Sequence, residues 1–408
     1  MADKKLKIGL LREGKTPPDA RVPLAPSQCA ALQRQFPLTI VAQPSPHRAF
    51  TDAEYREQGI ALQEDLSDCD VLLGVKEVSA DALIPEKTYL FFSHTIKKQP
   101  YNRAMLQTIL ERRIRLIDYE VITTDEGARL VAFGYFAGLV GAHNALWAYG
   151  RRSGAFELPR LHQLRQYSEA KAAYETVNWP PVRIVLTGSG RVAQGAIRCL
   201  HDMGIRQASP VDFLKKQFDA PVFTQLHAQE YARHSDRLRI FNKAHFYAHG
   251  DEYTSAFAPY AAAADIFINA IYYDPKAPAF FTPEEMAQAD FRIRVIADIT
   301  CDIAPESSVP STLRACSIAD PVFGYDPVTR KETAPFGANV IDMMTVDNLP
   351  SELPRDASDY FGRQLTDHVI PEFFKENSPR LERACIAQGG ALTPLYAYLS
   401  DYVYAVES

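Results

Sequence analysis

Lys76 and Glu77 directly follow one apolar run, Val71–Val75, and His94 closes another, Tyr89–Phe92 with Ser93 between. In an open α/β sheet such positions are the carboxyl ends of strands, where ligands sit. A lysine at a strand end is partly desolvated, which pulls its pKa toward neutrality, while an adjacent carboxylate opposes that pull. Histidine carries protons near neutral pH. Lys76 and His94 facing one cleft therefore suit a reaction that moves several protons. The competing reading is a surface Lys76–Glu77 pair and a turn histidine. Arg21, Arg129 and Lys97 flank apolar segments, and cations grouped on one cleft would hold a substrate with more than one carboxylate. Taken singly, each arginine is more often a surface ion pair.

A second chemistry-bearing motif is Gly188-Ser189-Gly190-Arg191-Val192-Ala193, which ends the apolar run Val182–Thr187 and opens a helical pattern through Met203. The spacing fits a dinucleotide. The first glycine allows a tight turn, the second lets the backbone approach the pyrophosphate, and a small third residue, Ala193, allows close packing. The helix N-terminus adds free N–H groups and positive dipole. The alternative is a purely structural glycine turn. The ribose reader should end the next strand, Arg206–Ser209. Asp212 would hydrogen-bond a 2′-hydroxyl and favour NAD, whereas Ser209, with Lys215 and Lys216 nearby, would accept the 2′-phosphate of NADP. The two stay open.

These residues need a scaffold. Strand patterns at Leu6–Arg12, Leu38–Ala42, Val71–Val75, Tyr89–Phe92 and Ile114–Tyr119 alternate with helices at Gln28–Phe36 (capped by Ser27), Thr51–Gln58 and Gln99–Arg112, the signature of a parallel α/β sheet. A second α/β unit starts near Pro181 and takes in Ile266–Ile271 and Arg294–Ala297. The expected fold is therefore α/β: two Rossmann-like, doubly wound parallel-sheet domains with a cleft between them. The substrate domain is discontinuous, 1–135 plus about 338–408, with Ala338–Val346 and Ala357–Phe374 read as helices. Residues 136–180 connect, with most of Val131–Arg152 read as one long helix. The dinucleotide domain spans 181–337, and the aromatic, His-rich stretch 221–260 reads as an insertion in it.

At 408 residues, 47% hydrophobic and 23% charged, the chain can bury full cores and is not a disordered one. A net charge of −6 gives no electrostatic case for nucleic acid or an anionic membrane surface. A charged start (Met1 to Lys7) and the lack of a long apolar run predict neither a secretory leader nor a membrane span, and so a cytoplasmic protein. Six scattered cysteines without a CxxC pair predict free thiols and no metal site.

The chain resembles the lysine-ketoglutarate reductase and saccharopine dehydrogenase (lysine-forming) family, and more distantly alanine dehydrogenase and the NAD-binding subunit of transhydrogenase. The matching segments are Arg12-Glu13 through Asp19-Ala20-Arg21-Val22-Pro23-Leu24-Ala25-Pro26, Gly74-Val75-Lys76-Glu77, Phe91-Phe92-Ser93-His94-Thr95-Ile96-Lys97, Arg115-Leu116-Ile117-Asp118-Tyr119-Glu120, Val131-Ala132-Phe133-Gly134, the glycine loop, Ala297-Asp298-Ile299 and Asp347-Asn348-Leu349-Pro350. The resemblance runs over residues 6–375 and is weakest at 221–260 and beyond Phe374. It implies that Lys76 and His94 are the acid–base pair and Glu77 tunes them. It implies that Arg21, Lys97 and Arg129 hold substrate carboxylates, that Phe133 walls the pocket, and that Asp302, or else Asp298, lies at the nicotinamide. The implied reaction interconverts saccharopine with L-lysine and 2-oxoglutarate using NAD or NADP. A chain of this length would be a stand-alone reductase whose partners are the small-molecule substrates, with a homo-oligomer left open. The alternatives are an alanine dehydrogenase or other opine-type enzyme, and a non-catalytic nucleotide-binding regulator.

Overall fold

The structure, a computed structural model, describes residues 5–16 and 18–404. The chain divides into two compact units, Met1–Phe133 with Pro354–Ser408, and Gly134–Leu353. The divisions fall at Phe133/Gly134 and Leu353/Pro354, so residues 136–180 and 338–353 stay with the glycine loop rather than forming a connector and part of the returning segment.

Short apolar runs bounded by turns become central strands buried on both faces, as a parallel sheet requires, while more polar runs become the edge strands. In the first unit these are β1 (Leu6–Leu10), β2 (Leu38–Ala42), β3 (Ala61–Leu62), β4 (Val71–Leu73), β5 (Thr88–Phe91) and β6 (Arg115–Asp118). In the second they are β7 (Arg183–Thr187), β8 (Arg206–Ala208), β9 (Val222–Leu226), a separate two-stranded ribbon of β10 (Ala232–His234) and β11 (Tyr253–Ser255), then β12 (Ile266–Asn269), β13 (Val295–Asp298), β14 (Val322–Asp326), β15 (Lys331–Thr333) and β16 (Ile341–Met344). The returning segment adds β17 (Cys385–Gln388) and β18 (Ala391–Leu392) to the first unit.

The first sheet runs β18-β17-β6-β5-β4-β1-β2-β3, and the second β15-β14-β16-β13-β12-β7-β9-β8. Strands β1 to β6 are mutually parallel, with β17 antiparallel to β6. In the second sheet β14 and β15 are the antiparallel edge. Each sheet reverses direction next to its first strand, between β1 and β4 and between β7 and β12, and such switch points open a crevice at the carboxyl ends. The helix Pro354–His368 is tied into the first unit by side-chain bonds: Val22 N–H donates to Ser358 Oγ (2.9 Å), and Ala132 N–H to Gln364 Oε1 (2.8 Å).

Four readings change. Residues 338–346 are not helical. Ile341–Met344 is a fully buried strand between β13 and β14, and an apolar run with no exposed face carries no period to tell strand from helix. The stretch 221–260 is not wholly an insertion, because Val222–Leu226 is a central strand paired with β7 over five residues. Thr224 and Gln225 had masked its apolar character. The first helix is Pro26–Gln35, capped at Ala25, whose N–H donates to Gln28 Oε1 at 2.9 Å, not at Ser27. The helix in Ala357–Phe374 ends at His368 and continues as a 3₁₀ turn, Ile370–Phe374.

The glycine-loop helix, Arg191–Asp202, packs on the long helix Gly134–Ser153 at backbone contact. A Cβ on Gly138 would fall 1.7 Å from the Val192 carbonyl oxygen, and one on Gly195 would fall 1.8 Å from that of Tyr135. The two glycines bring the helices together. A Cβ at Gly190 meets nothing within 4 Å. Gly195→Ala is therefore expected to lower unfolding free energy by about 1–3 kcal/mol, while Gly190→Ala leaves it unchanged; urea unfolding of the full chain separates the two.

Candidate active site

The first unit gathers its titratable groups at the carboxyl ends flanking its switch point. Glu13 follows β1, Lys76 and Glu77 follow β4, His94 follows β5 and Glu120 follows β6. The Glu13 carboxylate accepts the backbone N–H groups of Val75 (2.7 Å) and Lys76 (2.9 Å), which fixes the chain where Lys76 departs. Burial pushes the Glu13 carboxyl up to about 7 despite those two bonds. Lys76 is half-buried, and its amine is lowered by desolvation and by the Arg21 charge, against Asp19 and Glu77, which raise it. It is thereby moved toward the state in which it accepts a proton.

His94 sits in the left-handed region (φ 52°), uncommon for a residue with a Cβ. Its loop is held from below. Asp118, fully buried, accepts the N–H (3.1 Å) and hydroxyl of Ser93, and Ser93 Oγ shares a 2.8 Å bond with Thr95. The ring's Nδ1 lies 2.6 Å from Glu77 Oε1. Lys15 Nζ lies 2.6 Å from the other oxygen of Glu77. Burial would raise the Glu77 carboxyl, but His94 and Lys15 together hold it down at about 2. An ionised Glu77 at Nδ1 keeps that nitrogen protonated and leaves Nε2 to exchange protons.

The cations expected to hold carboxylates divide. Arg21 is buried and spends its fork on Asp19, with Nε to Oδ1 at 3.0 Å and Nη2 to Oδ2 at 2.6 Å, and it stacks 4.3 Å over Phe133. Burial alone would raise the Asp19 carboxyl; the Arg21 guanidinium holds it well below the usual range instead. Lys97 and Arg129 both approach Glu120 Oε1, at 3.3 and 3.6 Å, from more open positions. Phe133 is part of an apolar wall. It stacks on Phe361 (4.3 Å, 8°), and Phe92 packs between Tyr119 and Phe133.

In the second unit the glycine loop closes a cavity of about 450 Å³ lined by Gly188, Ser189, Gly190, Arg191 and Val192. Gly188 has φ +104° and a Cβ there would fall 2.4 Å from Ala270 O, so no other residue fits. Gly190, open to 4 Å, and the start of a twelve-residue helix leave room and N–H groups for a pyrophosphate. The loop thus fits a dinucleotide.

The expected ribose readers do not reach it. The strand beside β7 is β9, and β8 is the outer edge. Ser209 caps the short helix Pro210–Lys215 by accepting Asp212 N–H (3.1 Å), and Asp212 pairs with Lys216 at 3.1 Å. Asp298, the last residue of β13, is fully buried. Its carboxylate accepts from Asn269 (2.9 Å), Thr300 (2.7 Å) and Thr312 (2.6 Å), so it braces strand ends rather than facing a ligand. Asp302 is half-buried beyond it, its carboxyl raised by desolvation. A cluster of His234, His245 and Glu252 has ligand spacing. However, His234 Nδ1 accepts Asp236 N–H (2.9 Å), and the Arg239 guanidinium lies 3.5 Å from His234 Nε2 and 3.9 Å from Glu252, in the place of a cation.

Glu13, Lys15, Asp19, Glu120 and Phe361 belong to the site without having been given a role from sequence. Glu13 was findable, because it follows the first strand just as Lys76 follows the fourth.

Residues 9–140 match the family model described as alanine dehydrogenase/PNT, N-terminal domain. An alpha-aminoadipic semialdehyde synthase of Arabidopsis thaliana is 31% identical over 445 aligned residues, covering 96% of this chain and 41% of that protein. A saccharopine dehydrogenase [NAD(+), L-lysine-forming] of Emericella nidulans is 27% identical, covering 91% and 93%. The chain is thus similar over most of its length to alpha-aminoadipic semialdehyde synthases and to saccharopine dehydrogenases (lysine-forming). It spans less than half the length of the semialdehyde synthases it matches. Its fold is that of a solved L-alanine dehydrogenase (TM-score 0.64, 16% identity, 97% of this chain and 99% of that one). Among the described residues no helix is long and apolar enough to cross a membrane.

Glu13, whose carboxyl is raised from 4.5 to about 7, contributes stability that is complete below pH 4.5 and is lost as pH rises through 7. Wild type should therefore lose stability relative to Glu13→Gln between pH 5 and 8. Urea midpoints of both proteins across that range test it, and parallel curves would sink it.

Proposed function

We propose that this chain is an NAD(P)-dependent oxidoreductase that interconverts saccharopine with L-lysine and 2-oxoglutarate. The observation that carries the reading is the pairing of Lys76, an amine pushed toward its neutral form, with His94, whose Nδ1 is anchored on Glu77 at 2.6 Å. Similarity to saccharopine dehydrogenases (lysine-forming) supports the choice of substrates.

In the direction of saccharopine formation, Lys76 takes a proton from the ε-ammonium of lysine, freeing it to attack the keto carbon of 2-oxoglutarate. His94 passes a proton through Nε2 to the departing hydroxyl, which leaves as water and yields the imine. Glu77 stabilises the imidazolium formed when His94 is recharged. Gly188, Gly190 and the helix start would hold the pyrophosphate of a bound nicotinamide dinucleotide, which would supply the hydride that reduces the imine to the secondary amine. Lys97 and Arg129 receive substrate carboxylates, with Glu120 spacing them and Phe133 and Phe361 excluding water. Arg21, committed to Asp19, acts by positive charge and by fixing Phe133. Asp302 is the residue proposed to approach the nicotinamide. The six free thiols support a reducing, cytoplasmic setting.

Reduced-nicotinamide oxidation should require lysine and 2-oxoglutarate together. Lys76→Met and His94→Gln should each lower kcat about 10²–10⁴-fold, with dinucleotide binding unchanged. Turnover only with ammonia and pyruvate would move the chain to alanine dehydrogenase chemistry.

A further inference from the structure

The routing of the second sheet decides which side chain meets the adenosine ribose. In a doubly wound sheet that ribose lies beyond the strand paired with the glycine-loop strand on the side away from the switch point, where a carboxylate takes the 2′-hydroxyl. Sequence order points to β8, but the neighbour is β9. Its end is locked to the loop: Gly188 N–H donates to Leu226 O (3.1 Å), and the Gln225 side-chain amide donates to Gly188 O (2.8 Å).

The residue that follows is His227, exposed and lining the same cavity as Arg191. No aspartate or glutamate lines that cavity. The next carboxylate along the chain, Glu230, is turned back on the backbone. Its Oε2 accepts His227 N–H (2.7 Å) and its Oε1 accepts from Gln229 (2.8 Å). A ribose 2′-hydroxyl placed here finds a basic ring where it needs a carboxylate. A 2′-phosphate placed here meets donors and no like charge in the lining.

We propose that His227, with Arg191 beside it, selects the dinucleotide that carries a 2′-phosphate. This rests on the reading of the chain as a nicotinamide-dependent dehydrogenase. It replaces Ser209 and Asp212 as the specificity position.

Calorimetric titration of the full chain with NADP⁺ and NAD⁺, and with 2′,5′-ADP and 5′-AMP, tests it without turnover. NADP⁺ and 2′,5′-ADP should bind about tenfold or more tighter than their unphosphorylated partners, a gap of about 1.4 kcal/mol. His227→Asp should abolish or invert that ratio, and Asp212→Asn should leave it as it is. Exposure of His227 makes a folding failure an improbable confounder, and circular dichroism of each variant checks it. NAD⁺ binding as tightly as NADP⁺, or an unchanged ratio in His227→Asp, overturns the selection while leaving the dehydrogenase reading intact. Binding of neither dinucleotide overturns both.

Discussion

Parallel strands leave backbone N–H groups unpaired just past their carboxyl ends, and in the first unit the Glu13 carboxylate takes two of them, from Val75 and Lys76. Lys76 begins where that clamp holds it, and Glu77 follows in the position that reaches His94. An unpaired buried N–H costs about 1–3 kcal/mol, so the clamp is not optional to the fold. Its consequence is electrostatic. A carboxyl raised to about 7 carries only part of a charge near neutral pH, so it opposes the desolvation that lowers Lys76 less than an ordinary carboxylate would. One acid thus positions the amine while doing little to recharge it.

The second unit braces its strand ends differently, with side chains that bond one another. Thr187, Asn269 and Asp298 end three adjacent strands and bond one another in series, Thr187 Oγ1 to Asn269 Oδ1 at 3.0 Å and Asn269 Nδ2 to Asp298 Oδ1 at 2.9 Å. Thr300 and Thr312 satisfy what remains of Asp298. The strand ends are held level, and Gly188 then turns sharply beneath the Ala270 carbonyl. Burial raises the Asp298 carboxyl against the bonds it accepts.

Much of this was legible in the residues. Apolar runs ending in Lys76-Glu77 and at His94, and a glycine pair between run and helix, mark strand ends by type and spacing alone. What was hidden is pairing order. Adjacency in a sheet is set by which strand buries best beside β7. Val222, Phe223, Thr224 and Leu226 are buried there, while Arg206 and Gln207 of β8 are exposed, as an edge allows. Counting forward from the glycines therefore reached Ser209 and Asp212, and the position that matters, His227, lay inside a stretch whose polar residues disguised a core strand. Arg21 misled for a related reason. Its type and neighbourhood suit a carboxylate ligand, but the carboxylate it meets is Asp19, two residues away.

That commitment shifts the burden of recognising a substrate with several carboxylates. Arg21 contributes a fixed field, screened by Asp19, and an apolar ledge through its stacking on Phe133. Lys97 and Arg129 share one carboxylate between them, so Glu120 leaves the trio with a net positive charge and with donors in exposed or half-buried positions. A substrate carboxylate arriving there meets two cations already held in place, at a smaller ordering cost than two free side chains would incur. On the proposed function the buried pair supplies rigidity and the open trio supplies capture. Of these cations Arg21 acts on Lys76, where with Lys15 it favours the neutral amine against Asp19 and Glu77.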